Sequence, residues 1–426
     1  MYKKNKRTRK KRAKYSITYR LKSKSASRIV LLFAVIMWFQ LICTIQVSAN
    51  NEAASNKSYD EIQEDIIIDQ LQSPEIKVLK DYFNQLAIGN SEQLLGRYNA
   101  DDIMKDAIKG NLKLNIIGIF KKAANYFVQE IYLNIHILLK LIALIIICAI
   151  LNNFQNSFIK DGVGELAFFV CYIILVSVLV IGFKEAVSFG INVIEQMAGF
   201  MYASIPVMIA LLVSSGSVTS GSIFKPILFM VVETTATIIK NIFVPLVFLS
   251  TALSIVNNTS DRLHLDKLAG LIKKIGLVFI GIMMTTFIGV LTIQGPVSAV
   301  ADGVTNKTIK FALGTFIPIV GGYLADAADT VIGCTLLIKN AAGIVVMIGV
   351  ISICIIPILK MSAVIMLYKI TCAITEPISE KRVTNSINDV ANSIALMLGA
   401  VAVVTLMFVI SITVIIAAGN MTAMIR

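Results

Sequence analysis

The sequence predicts an all-α fold: a polytopic helical membrane protein with an N-terminal signal peptide and a small exported helical domain. Three observations carry this reading. The 426 residues are 56% hydrophobic and only 15% charged, with a mean hydropathy of +0.78. Soluble domains average about 25% charged residues, and a bilayer is the solvent that absorbs so much apolar surface. Apolar stretches long enough to cross a hydrocarbon core of ~30 Å recur through residues 131–426. A basic leader followed by an apolar run opens the chain.

The leader concentrates the charge. Residues 1–28 carry 13 lysines and arginines and no acid, and the first acid is Glu52. The rest of the chain balances 26 bases against 26 acids, so the net charge of +13 is a property of the leader and no basic face for nucleic acid is implied. An apolar run at 29–42 precedes Val47-Ser48-Ala49, which fits the small-residue rule for signal peptidase with cleavage after Ala49. The basic end then stays in the cytoplasm and residue 50 onward is exported.

Residues 50–130 form the expected exported domain of amphipathic helices. Ser73-Pro74-Glu75 is a helix start, with a capping hydroxyl, proline in the first turn and an acid near the positive end of the helix dipole. Ile76, Leu79, Phe83 and Leu86 follow at helical spacing. A second short helix opens at Asp101 or Asp102 and stops at Gly110; a third runs from Leu114 to about Ile131.

Residues 131–426 form the membrane domain. Strong apolar segments lie at 134–151, 163–183, 275–295, 340–359 and 394–418. Weaker ones lie at 197–213, 223–239, 242–256, 309–322 and 361–375, where Pro206, Pro245, Pro318 and Gly321-Gly322 suggest breaks or half-helices. Together they predict about seven to nine spans. Between them, Leu265, Leu268, Leu271, Ile272 and Ile275 form one apolar face, the pattern of a helix lying on a membrane surface. Residues 163–274 and 275–386 suggest an internal repeat: Ile205-Pro206-Val207 falls on Ile317-Pro318-Ile319, and Val244-Pro245-Leu246 on Ile356-Pro357-Ile358.

Candidate functional residues are charges at membrane depth. Residues 294–340 carry Asp302, Lys307, Lys310, Asp326, Asp329 and Lys339 among glycines and apolar residues. Asp326 and Asp329 are three apart and share a helix face, and intramembrane acids face cavities or partner helices. Glu233, Asp302, Lys310, Asp326 and Asp329 are therefore candidates for a polar pathway or docking site, with solvated loops between short helices as the alternative. The phosphate-loop, His-Glu-x-x-His and Gly-x-Ser-x-Gly motifs are missing from the sequence. The cysteines form no Cys-x-x-Cys pair, and the two histidines, His136 and His264, lie far apart. No enzyme, metal or cofactor is expected.

The same block carries a resemblance. Leu291-Thr-Ile-Gln-Gly, Ala301-Asp-Gly-Val, Phe316-Ile-Pro-Ile-Val-Gly-Gly and Asp329-Thr-Val-Ile-Gly-Cys resemble the stage III sporulation protein AE family of endospore-forming bacteria. So do Ile356-Pro-Ile-Leu-Lys, Glu376-Pro-Ile-Ser and Ala418-Gly-Asn, and the likeness runs from about residue 75 to the end. The leader is longer and more basic than the resemblance implies. The resemblance implies a multi-pass protein of the mother-cell membrane surrounding the forespore. It implies membership of a secretion-like channel complex joining the two cells, with ring-forming membrane subunits and a cytosolic ATPase as partners beside the lipid bilayer. It brings no catalytic residues. A stand-alone secondary transporter is the alternative that the repeat and the intramembrane acids suggest.

Overall fold

The computed structural model describes residues 67–86, 99–112, 116–158, 163–259, 264–316 and 321–425. The leader, Ala49 and the 317–320 segment that includes Pro318 lie outside them. Every element discussed below is helical.

The three amphipathic helices form where the sequence signals put them. Helix α1 (Pro74–Leu86) buries Ile76, Leu79 and Phe83, its predicted apolar face. In α2 (Ala100–Ile108) the Asn99 side chain accepts from the Asp101 N–H at 3.4 Å, and Gly110, at φ +66°, follows the C-terminus. Lys80 joins α1 to α2 through Asp101 at 2.6 Å. Both helices rest on the long helices; Tyr82 of α1 lies 5.9 Å from Phe200 between ring centroids, and ahead of α1 Gln70 donates to the Thr335 hydroxyl at 3.1 Å. Helix α3 (Ile116–Leu133) meets α4 (Ile135–Phe158) at a 41° bend, where the Asn134 side chain donates to the Glu130 carbonyl.

The remaining helices are far longer than single spans. They are α5 (Val163–Ser214), α6 (Val218–Ile238), a π turn (Ile239–Phe243) leading into α7 (Val244–Thr259), α8 (Asp266–Phe316), α9 (Gly321–Thr375) and α10 (Lys381–Ile425). At 1.5 Å per residue the 55 residues of α9 reach about 80 Å, against a hydrocarbon core of ~30 Å.

Five helical rods among the described residues are long and apolar enough to cross a membrane, six with the bent α3–α4 pair. This is fewer than the seven to nine spans expected, because neighbouring apolar segments share one helix. Segments 163–183 and 197–213 both belong to α5, and 340–359 and 361–375 both to α9. The expected breaks at Pro206 and Pro245 do not occur, and Pro318 lies outside the described residues. Pro206 lies inside α5, where a missing N–H and ring crowding perturb one turn without ending the helix. Pro245 follows the π turn, whose wider winding carries the rod past the proline. The predicted surface helix near 265–275 is likewise the start of α8, since no breaker interrupts it.

Helices α9 and α10 make the centre: 56% and 61% of their most apolar windows are buried, against 28% for α5 and for α8. Gly349 admits the Phe200 ring and Gly343 the Ile416 side chain, close approaches that a Cβ would block. The α5–α6 turn needs Gly216, at φ +83°.

Candidate functional site

The sequence-predicted residues divide among three places. Asp302, on α8, is buried at 1% exposure. Its carboxylate accepts from the backbone N–H of Thr219 at 2.6 Å and of Ser220 at 2.9 Å. These are orphan donors in the first turn of α6, so Asp302 caps a helix remote in sequence and places negative charge at the positive end of its dipole. One turn along α8, the Asn306 side chain donates to the Gly216 carbonyl at 3.0 Å. The two side chains hold the α5–α6 turn against α8. Buried hydroxyls of Ser217, Ser220 and Ser298 surround this arrangement.

Lys310 of α8 and Asp329 of α9 meet at 2.6 Å with partly exposed side chains. Asp326 lies one turn before Asp329 and is exposed. Glu233 stands apart, on α6, where it accepts from the Tyr202 hydroxyl at 2.5 Å and the Thr237 hydroxyl at 3.3 Å. Near it Lys240 pairs with Glu195 of α5 at 2.6 Å, beside an open cavity of about 210 Å³ lined by Ile191, Thr237 and Asn241 among others.

The family model described as Stage III sporulation protein AE matches residues 98–419. The chain belongs to the stage III sporulation protein AE family. A relative in Bacillus subtilis (strain 168), named Stage III sporulation protein AE, is 36% identical over 306 residues, covering 72% of this chain and 77% of that protein. No solved structure matches. The family match takes in α2 through most of α10, and with them Glu233, Asp302, Lys310, Asp326 and Asp329.

Two further polar sites within the family region are built by tertiary packing. Lys339 is fully buried, and its amine donates to the Ile416 carbonyl at 2.9 Å and lies 3.5 Å from the Asn420 side-chain oxygen. It occupies the space left by the missing side chain of Gly419, which explains the Ala418-Gly-Asn motif at the level of packing. At the other end of the bundle, Lys369 of α9 donates to Asn388 and, at 2.7 Å, to Asn392 of α10. Asn258 donates to Asp389 at 3.0 Å, and the Tyr172 and Ser386 hydroxyls are 2.8 Å apart. The signal for this cluster was in the sequence: Asn385, Asn388, Asp389 and Asn392 recur at helical spacing and mark one polar face ahead of the apolar run of α10.

Proposed function

We propose that the chain is a membrane-embedded core component of the sporulation trans-envelope complex linking mother cell and forespore. The observation that carries the reading is family membership over residues 98–419 combined with a bundle of long apolar rods that have charged and amide side chains packed between them. Such rods supply rigid walls or anchors in a membrane, and their interior polar contacts fix register between helices. The reading places the chain in the mother-cell membrane around the forespore. Its partners there are ring-forming membrane subunits and a cytosolic ATPase, and the signal peptide delivers residues 50–130 to the space between the two membranes. The polar pathway or docking role belongs on this reading to Glu233 at the α5–α6 surface and to Asp326 and Asp329 near the α8–α9 connection.

The test is isolation of an affinity-tagged full-length chain from sporulating cells in mild detergent. Co-purification with the ring-forming subunits and the ATPase, together with developmental arrest when the chain is removed, is expected. A chain that purifies alone and whose loss leaves spore yield unchanged refutes the reading.

A further inference from the structure

The outer surface of the bundle has two chemically different sides at one depth. Three contacts set the register between the α6–α7 rod and α8. Asp302 meets Thr219 and Ser220, the Ser250 hydroxyl donates to the Ala269 carbonyl at 2.9 Å, and Gly276 lies against Phe243 and Leu246. The rods therefore run antiparallel, with 222–241 of the first level with about 279–298 of the second. At that level α8 exposes Phe279, Ile282, Val290, Ile293 and Val297. Of its exposed threonines, Thr285, Thr286 and Thr292, the first and last return their hydroxyls to their own helix. From 275 to 306, α8 exposes no charged side chain. This is a surface made for acyl chains.

The α5–α6 side differs. Between 182 and 203, every exposed position of α5 is polar: Lys184, Glu185, Ser188, Asn192, Glu195 and Gln196. These lie at helical spacing on one face and make one stripe, about 18 Å long. Across from it α6 and the π turn expose Ser222, Lys225, Glu233, Thr234, Thr237, Lys240 and Asn241, with Val218, Pro226, Met230 and Ile242 the apolar exceptions. The stripes join where Glu195 binds Lys240 and Tyr202 binds Glu233, at the edge of the cavity. The π turn Ile239–Phe243 falls at this junction and leaves Lys240 and Asn241 both exposed. The pairs Glu195–Lys240 and Tyr202–Glu233 set about 194–213 of α5 beside 222–241, so Glu195, Lys225, Glu233 and Lys240 lie at the depth of the lipid-facing surface of α8; there they cannot face hydrocarbon without heavy cost and require water or protein.

We propose that the α5–α6 face lines a water-filled passage through the membrane, and that the same face of further copies of this chain forms the opposite wall. Two helices supply only one side of a conduit. The stripe carries Lys184, Lys225 and Lys240 against Glu185, Glu195 and Glu233, so it is balanced and complementary to itself, as a surface repeated around a symmetry axis must be. The balance also means a passage for polar solutes without strong selection by sign. This rests on the membrane-core reading above and gives that core its wet face.

The experiment places single cysteines in the full-length protein in its own membranes: Asn192→Cys and Ser222→Cys on the polar side, Ile282→Cys and Ile293→Cys on the apolar side. Native cysteines stay and are separated by peptide mass. A charged methanethiosulfonate reagent is expected to modify the polar-side cysteines at least about tenfold faster, because it reacts with thiolate, which needs water. A flexible bifunctional thiol cross-linker long enough to span the passage is expected to give a homodimer through Asn192→Cys and none through Ile282→Cys. Equal labelling of the two sides overturns the proposal, as does fast labelling without any homodimer. Either failure leaves co-purification with the complex untouched, so it is distinguishable from failure of the core reading.

Discussion

Asp302→Ala tests whether a single buried carboxylate holds the start of α6. The substitution removes the only acceptor shown for the Thr219 and Ser220 N–H groups while leaving both at the buried α6 terminus. An unsatisfied buried donor costs about 1–3 kcal/mol. Loss of a capping side chain costs about 0.5–2 kcal/mol, and loss of charge at the helix dipole up to about 2 kcal/mol in partly buried settings. These overlap, since they describe the same contacts, and the working figure is about 2–4 kcal/mol. At 1.4 kcal/mol per decade, local opening of the α5–α6 turn becomes roughly 30- to 700-fold more frequent. Hydrogen exchange of the peptide covering 214–222, measured on detergent-solubilised full-length protein, reads this directly. Asp302→Asn keeps one of the two oxygen acceptors and sets an NH2 donor against the other N–H, so it loses the charge and leaves one donor unsatisfied, at a cost of about 1–3 kcal/mol. Unchanged exchange in Asp302→Ala refutes the capping argument.

Four other outcomes are expected. Gly419→Ala pushes on the Lys339 amine and destabilises the protein by about 1–3 kcal/mol; Lys339→Met removes that conflict, so thermal-unfolding measurements on the two single variants and the double variant should be non-additive. Asp326→Ala with Asp329→Ala loses the partly exposed Lys310 pair, worth about 0.2–1 kcal/mol. The doubly substituted protein should stay abundant in membranes while spore yield falls, and normal yield or loss of the protein counts against the pathway reading. Edman sequencing of the membrane-bound protein should start at or near Asn50, and retention of residues 1–28 contradicts cleavage. Finally, Ser91→Cys should react with an impermeant thiol reagent supplied from the intermembrane side, and labelling only after the mother-cell cytoplasm is opened would falsify the exported placement.

Much of the architecture was legible because it depends on local pattern. The apolar face of α1, the glycine stop of α2, and the apolar content of the long rods follow from spacing and composition, whereas the cap of α2 is Asn99, ahead of the start expected at Asp101 or Asp102. The stage III sporulation protein AE motifs in 291–334 were legible for the same reason. Rod length was not. Lys184-Glu185, Glu195 and Pro206 make hydropathy fall inside α5, and a fall in hydropathy resembles a loop whether or not the helix continues. Glu233 could be picked out as an intramembrane acid, but Tyr202, 31 residues away, could not be named as its partner.

The sequence by itself determined the class of this protein and its family, since helix signals, hydrophobic content and motif identity are all carried by residues close together along the chain. Only the tertiary structure decided what each charge does. Asp302 becomes a cap because the α5–α6 turn is folded onto α8, and Lys339 is accommodated because Gly419 leaves space beside it. The exposed charges of α5 and α6 form one stripe because the two helices pack antiparallel in a register that joins Glu195 to Lys240. These roles depend on partners 45 to 83 residues away, and side-chain chemistry at such distances is fixed by packing geometry.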